Sequence, residues 1–185
     1  MPAFYLTLIA MLLAGIGARD QVAVAGLARA QGQRPGVLIV ALVSAALTAG
    51  LAAWAAHVVL AELPPPARTI FAALALGMAG LESMVLVPRR DPREPTRSLG
   101  ALALVLLMHQ VTDAARFLVF GMGVGFAAPI ASGAAGVIGG GVLAGFAWAF
   151  PQMLEMPAAR WGRRVVGAML AMAALTIALL ETGIL

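Results

Sequence analysis

The residues best suited to chemistry lie inside one apolar stretch, 104–120, near the middle of the chain. A helix turns about 100° per residue, so a continuous helix here would carry its polar side chains on one stripe roughly 100° wide. That stripe holds His109, Thr112, Asp113 and Arg116, and Gln110 lies at its edge. Ionisable side chains are costly in hydrocarbon and mark functional sites by default. The stripe is therefore the first candidate site.

Two roles are open for this stripe. Asp113 can bind a cation or a proton, Gln110 and Thr112 can supply oxygens, and His109 can relay the proton. Alternatively, Asp113 can pair with Arg116 at i,i+3 and accept a hydrogen bond from His109 at i,i+4, so that the cluster only joins helices. One histidine and one carboxylate are too few for a transition-metal cage.

A second polar cluster, residues 15–21, lies in the first apolar stretch. Gly15 and Gly17 predict a local break of the helix, and Arg19 and Asp20 follow at once. By helical rise, Asp20 lies about 13 Å from the basic end of its stretch and Asp113 about 21 Å from the start of its own. Both depths are near the middle of a core about 30 Å thick. The alternative is an Arg19–Asp20 pair that reaches to the membrane surface and does nothing else.

The composition indicates that the chain lies in lipid rather than in water. Apolar residues make up 62% of the 185, charged residues 11%, and the mean hydropathy is +0.98. A soluble domain of this size cannot bury so much apolar surface, so we predict an integral membrane protein with the lipid bilayer as its main partner. The net charge of +4 comes from arginines between apolar stretches, which does not indicate nucleic-acid binding. There is no cysteine, hydrolase triad, zinc spacing or nucleotide fingerprint, so neither an enzyme nor a cofactor is expected.

Six apolar stretches are long enough to span a bilayer. The predicted fold is therefore an all-α membrane domain, 1–185, with three spans in 1–87, a basic linker at 88–98 and three spans in 99–185. The predicted spans are 3–28, 36–60, 68–87, 99–121, 127–150 and 163–181. Homo-oligomerisation stays open.

Arginines collect in alternate connectors. The first, third and fifth connectors with their margins hold nine, and the second and fourth hold only Arg68. Basic residues favour the cytoplasmic side, which predicts both termini outside the cytoplasm of a bacterial inner membrane. No basic residue precedes the first apolar stretch, so the first span is expected to be retained rather than cleaved as a signal peptide.

The two halves also suggest a duplication. Asp20 and Asp113 are 93 residues apart, and so are Glu62 and Glu155. Each of the two glutamates is followed closely by a proline and an arginine. An odd number of spans in each half makes the halves inverted, and inverted repeats with a site near the midplane are typical of transporters. Chance similarity in an Ala/Leu/Gly-rich sequence is the alternative.

At these residues the chain resembles the Gdt-type Ca²⁺/Mn²⁺:H⁺ antiporters of the lysine-exporter-like superfamily. That family has two repeats of three spans, and each first helix carries Glu-apolar-Gly-Asp-Lys/Arg-Thr/Ser-Gln. Residues 15–21 (Gly-Ile-Gly-Ala-Arg-Asp-Gln) match the apolar, Gly, basic and Gln positions, and residues 110–116 (Gln-Val-Thr-Asp-Ala-Ala-Arg) match the apolar and Asp positions. Gly15, Ala18 and Gln110 replace three of the family's four carboxylates and only Asp113 remains, so the resemblance implies Asp113, with the Gln110 side chain beside it, as the metal ligands.

The resemblance implies exchange of Mn²⁺ or Ca²⁺ for protons, in a form weakened or altered by the lost acids. In this interpretation Asp113, Gln110, Thr112, Asp20 and His109 handle the ion and the proton, and Arg116 and Arg19 are their charge partners. Two alternatives remain. The same scaffold can export an anion or an amino acid through Arg19 and Arg116, or the chain can be a membrane subunit that transports nothing.

Overall fold

A computed structural model describes residues 2–86 and 98–184. These residues form eight α-helices and a short 3₁₀-helix, Pro151–Glu155, with no strand among them. The helices are α1 (Pro2–Gly15), α2 (Arg19–Gln31), α3 (Pro35–Glu62), α4 (Pro65–Val85), α5 (Leu99–Val111), α6 (Ala114–Gly125), α7 (Pro129–Ala149) and α8 (Pro157–Glu181). The predicted all-α fold is confirmed. Most of the predicted 88–98 linker lies outside the described residues.

Four helices, α3, α4, α7 and α8, are each long and apolar enough to cross a membrane. The other four form two bent pairs: α1 and α2 meet at 57°, and α5 and α6 meet at 51°. The described chain therefore has four candidate spans, or six if each bent pair is one span. The last helix begins at Pro157, six residues before the predicted start at Arg163, because proline is well suited to the first turn of a helix.

The first break follows from its glycine. Gly17 has a φ of +76°, a conformation that costs other residues a steric penalty, and Ala18 is extended before α2 begins. Gln21 fixes the turn because its Oε1 accepts a hydrogen bond of 2.8 Å from the Gly17 amide. The predicted break is confirmed at Gly17, whereas Gly15 is the last residue of α1.

The second break contains neither glycine nor proline. Asp113 is extended, and its Oδ2 accepts a 3.3 Å hydrogen bond from the Ala115 amide, so it acts as the N-cap of α6. The prediction of one stripe on one continuous helix is wrong, because the helix ends at Val111 and restarts at Ala114. The bend leaves Asp113 and Arg116 buried, while Thr112 is exposed and His109 half-buried.

Small residues allow close helix crossings around the two breaks. On α7, a Cβ added to Gly133 would lie 2.6 Å from the Ala53 Cβ of α3, and one added to Gly136 would lie 3.0 Å from the Ala49 Cβ. On α4, a Cβ added to Gly80 would lie 2.7 Å from backbone atoms of α8. Small residues thus let α7 pack closely against α3, and α4 against α8. Helix α6 lies among α1, α3, α4 and α7, so Asp113 at its start faces the interior, while Thr112 on the other side of the break is exposed.

Candidate functional site

A narrow cavity lies between the two breaks and has room for about one water molecule. Asp20 and Asp113, which come from different bent pairs, both line it. The four half-helices have 12 to 14 residues and are each about 20 Å long, so each break lies near the middle of its bent pair. The full lining is Gly15, Ala18, Asp20, Gln21, Asp113, Ala115, Arg116, Gly140 and Leu143.

Asp20 is held in the first turn of α2. Its Oδ1 accepts a 2.8 Å hydrogen bond from the Gln21 amide, and its Oδ2 accepts one of 2.8 Å from the Gln110 side chain. The N-terminus of a helix also favours a negative charge. Asp20 does not pair with Arg19 in the described structure, so the predicted surface pair does not form there.

A hydrogen-bonded chain joins the two breaks. Gln110 donates to Asp20 through Nε2, and its Oε1 lies 3.1 Å from the Thr48 hydroxyl, which can donate to it. The same hydroxyl oxygen accepts a 2.7 Å bond from Arg116 Nε. Arg116 Nη2 also lies 3.4 Å from the Ala45 carbonyl. Gln110, Thr48 and Arg116 are all buried, so these polar contacts between the two breaks are shielded from solvent.

Asp113 has a different charge partner from the one expected. Its Oδ1 lies 3.9 Å from Arg163 Nη2 of α8, and the described residues give that oxygen no hydrogen bond. The expected pairing with Arg116 and hydrogen bond from His109 are absent among the described contacts, because the break turns α6 away from α5. Asp113 is nevertheless only 2% exposed.

Arg19 ties the first break to the second. Its Nη2 donates to the Thr112 carbonyl at 2.8 Å, to the Thr112 hydroxyl at 2.9 Å and to the His109 carbonyl at 3.3 Å. Its Nε lies 3.5 Å from Glu82 Oε1. Thr112 and His109 therefore contact Arg19 and do not line the cavity, whereas Asp20, Asp113 and Arg116 do.

Three residues of this cluster are not among the predicted site residues: Thr48, Glu82 and Arg163. Glu82 is 8% exposed and binds Arg163, which is 4% exposed, at 2.5 Å. The signal for Glu82 was an acid inside an apolar span. Arg163 was counted only as a connector charge, and nothing in the sequence distinguishes Thr48 from other hydroxyl residues in apolar helices.

Among the described residues, six charged groups surround the breaks: Asp20, Glu82, Asp113, Arg19, Arg116 and Arg163. Their formal charges cancel, so the cluster carries no net charge to attract an ion. No group of three His, Cys, Asp or Glu side chains among the described residues is arranged to hold a metal. A divalent cation would need the carboxylates to exchange their present partners first.

Two contacts repeat with one spacing. The helix starts Arg19 and Ala114 are 95 residues apart (114 minus 19), and the third residues, Gln21 and Arg116, keep that spacing. Gln21 donates to Leu143 on α7, and Arg116 donates to Thr48 on α3; Leu143 again follows Thr48 by 95 residues. This register differs by two from the 93-residue spacing of the two aspartates.

Comparison with protein-family models, with curated proteins and with solved structures finds no match to this chain.

Proposed function

We propose that this protein is a secondary transporter that exchanges a cation for protons at the cavity between the two helix breaks. The observation that carries the proposal is that Asp20 and Asp113, from two different broken helices, line one cavity. Broken helices supply free backbone groups at the depth where a transported ion must shed its water. Carboxylates at that depth can bind a cation and a proton alternately.

An inverted pair of three-span halves is part of the proposal. The 95-residue register supports it, because it relates both helix starts and both contacts of the third residues. It is also the register in which residues 15–21 align with 110–116, as in the family that the chain resembles. The second and third spans of each half begin with proline, at Pro35 and Pro65 and at Pro129 and Pro157. With arginine-rich connectors inside, both termini lie outside the cytoplasm.

The proposed substrate is Mn²⁺ or Ca²⁺, as the resemblance implies. Asp113 binds the ion and the proton in turn, and Asp20 and Gln110 supply further oxygens. The hydrogen bonds of Asp20 to Gln110 and of Gln110 to Thr48 support this division, since they let occupancy at one acid alter the other. Hard divalent cations take oxygen ligands, and backbone carbonyls at the breaks add to the set.

Proteoliposomes that contain a pH-sensitive dye test the proposal. An inward gradient of Mn²⁺ or Ca²⁺ should drive proton efflux through the wild type, and Asp113→Asn should abolish it. Glu62→Gln is the matched control, because Glu62 is an exposed acid at the end of α3. Unchanged flux in Asp113→Asn would remove Asp113 from the mechanism, and no flux in the wild type with either ion would refute cation exchange.

Export of an anion or an amino acid is the second candidate. Arg116 favours it, because Arg116 lines the cavity and has no carboxylate within ion-pair distance among the described residues. Arg116→Gln should then weaken transport of the anionic solute and leave metal handling unchanged, with the exposed Arg164→Gln as control. If Arg116→Gln loses metal exchange but keeps transport of the anionic solute, export of an anion through Arg116 is refuted.

A membrane subunit that transports nothing is the third candidate, and it differs from the other two in the access of water to the cavity. The natural chain lacks cysteine, so Ala115→Cys introduces one thiol into the cavity lining. A transport site must be wet in part of its cycle, and the thiol should react with small polar reagents. A thiol that stays unreactive under every ion gradient would favour the structural subunit.

A further inference from the structure

The contact between α4 and α8 holds a second group of buried charges beside the cavity. Glu82 lies three residues before the end of α4 at Val85, and Arg163 is the seventh residue of α8. Arg163 Nη2 lies 2.5 Å from Glu82 Oε2 and 3.9 Å from Asp113 Oδ1. One guanidinium therefore lies between two carboxylates, one of which also lines the cavity.

Several polar atoms in this group have no hydrogen bond. Asp113 Oδ1, Glu82 Oε1, and Nε and Nη1 of Arg163 are all buried without a hydrogen bond among the described residues, although Glu82 Oε1 lies 3.5 Å from Arg19 Nε and Asp113 Oδ1 3.9 Å from Arg163 Nη2. Unpartnered buried polar atoms are costly and rare, and clusters of them mark water or ion positions. Because Asp113, Glu82 and Arg163 are each more than nine-tenths buried, surface water does not satisfy these atoms.

We propose that Glu82 and Asp113 form a cation-binding site, and that Arg163 is the internal cation that occupies it when no substrate is bound. The inference rests on the proposed cation exchange and adds Glu82 as a third acid of that site. Binding of a divalent cation displaces the Arg163 head group, and loss of the cation lets it return. No covalent bond is made or broken; one positive group replaces another between the same two carboxylates.

The packing around Arg163 suits a movement of its side chain alone. One turn further along α8, a Cβ on Gly167 would lie 2.8 Å from the Gly80 carbonyl of α4, so the two helices cannot approach further. Arg163 lies about 9 Å along the helix from Pro157, and a long arginine side chain can extend toward a helix end and its water. The helix crossing stays fixed while the charge moves.

The charge balance explains why displacement favours a cation. The six charged groups cancel while Arg163 is present, and its departure leaves one negative charge in excess. A buried excess charge is unfavourable until a cation or a proton compensates it. Arg163 thus competes with the substrate, which keeps the site closed to weakly bound ions.

Direct binding of Mn²⁺ to detergent-purified protein tests the site without transport. Free Mn²⁺ is measured by electron paramagnetic resonance during titration of the wild type and of Arg163→Gln. We expect Arg163→Gln to bind Mn²⁺ roughly thirtyfold more tightly, because a unit charge about 4 Å from a doubly charged ion contributes twice the energy of two unit charges even with water-like screening. Arg164→Gln, an exposed neighbour next to Trp161, and the charge-conserving Arg163→Lys should bind like the wild type.

Two further variants guard against misfolding. Glu82→Gln should weaken Mn²⁺ binding at least as much as Arg163→Gln strengthens it, and Glu82→Gln/Arg163→Gln should bind no more tightly than the wild type. Each of these variants removes at least one buried charge. Size-exclusion profiles and circular dichroism therefore establish that each is folded before its Mn²⁺ affinity is compared. Unchanged affinity in a folded Arg163→Gln or in a folded Glu82→Gln overturns the site.

A measurement without metal tests the same displacement. Ser83 is buried beside Gly167, and Ser83→Cys should resist small polar thiol reagents in the wild type. In the Arg163→Gln background it should react, while the exposed Gln152→Cys reacts in both. A thiol that stays unreactive in Arg163→Gln overturns the role of Arg163 as the occupant.

The two proposals fail in different ways. Tighter Mn²⁺ binding to Arg163→Gln, together with no ion-driven proton flux through the wild type, supports the cation site and refutes the antiport. Ion-driven flux with unchanged Mn²⁺ affinity in Arg163→Gln supports the antiport and overturns the internal cation.

Discussion

Gln110→Glu places an acid at a position where the family that the chain resembles carries one. Its effect on the stability of the protein follows from the contacts of Gln110. Gln110 is 1% exposed, donates to Asp20 at 2.8 Å and lies 3.1 Å from the Thr48 hydroxyl. A glutamate can still accept from Thr48, but it places a carboxylate oxygen against Asp20 Oδ2. Without a bound cation the variant should therefore be less stable than the wild type.

The size of the effect has two parts. A hydrogen bond to a charged group contributes about 1.5–3 kcal/mol, and two like charges about 4 Å apart repel by about 4 kcal/mol at an effective dielectric constant of 20. Uptake of one proton relieves part of the repulsion, so we expect a net loss of about 3–5 kcal/mol. Mn²⁺ at about 100 times its dissociation constant should return about 2.7 kcal/mol.

Unfolding of the detergent-solubilised protein, followed by circular dichroism with and without Mn²⁺, measures both parts. Gln110→Leu is the control, because it removes both hydrogen bonds of Gln110 without adding a charge. We expect Mn²⁺ to stabilise Gln110→Glu much more than Gln110→Leu. Equal responses to Mn²⁺ would refute the placement of the ion beside Asp20 and Gln110.

Three further substitutions test the backbone and the packing that hold the site. Gly17→Ala should lower the free energy of unfolding by about 1–2 kcal/mol and reduce transport, because Gly17 has a φ of +76°. The control Gly50→Ala, in open space on α3, should leave the free energy of unfolding nearly unchanged. Gly80→Ala should cost about 1–3 kcal/mol, because its Cβ would lie 2.7 Å from backbone atoms of α8; Gly145→Ala, with nothing within 4 Å, should not. Thr48→Val should cost about 2 kcal/mol or more, because it removes the acceptor of Arg116 Nε, and equal thermal stability of Thr48→Val and wild type would contradict the connecting role of this hydroxyl.

Features encoded locally could be predicted from the sequence. The apolar runs predict helices that can cross a membrane, and Gly15 and Gly17 predict the first break, because glycine permits the positive φ that the turn requires. The glycines of α7 predict close packing because they have no side chain to keep α3 away.

Features that depend on tertiary contacts could not be predicted. The second break has no glycine or proline, and a continuous helix through Asp113 satisfies the apolar pattern equally well. The partners of Asp113 and Glu82 come from α8, some 50 and 80 residues further along the chain, and hydrophobic periodicity carries no information about such pairs. Counting Arg163 as a connector charge concealed its place in the site, since arginine near a helix end fits both roles.

The affinity for Mn²⁺ of the wild type, Asp20→Asn, Asp113→Asn and the double variant most directly tests whether carboxylates of both broken helices serve one ion. If they share the ion, each single substitution weakens binding and the double variant is weaker by clearly less or more than the sum of the two effects. Strictly additive effects, or an Asp20→Asn variant that binds Mn²⁺ like the wild type, would contradict a shared site.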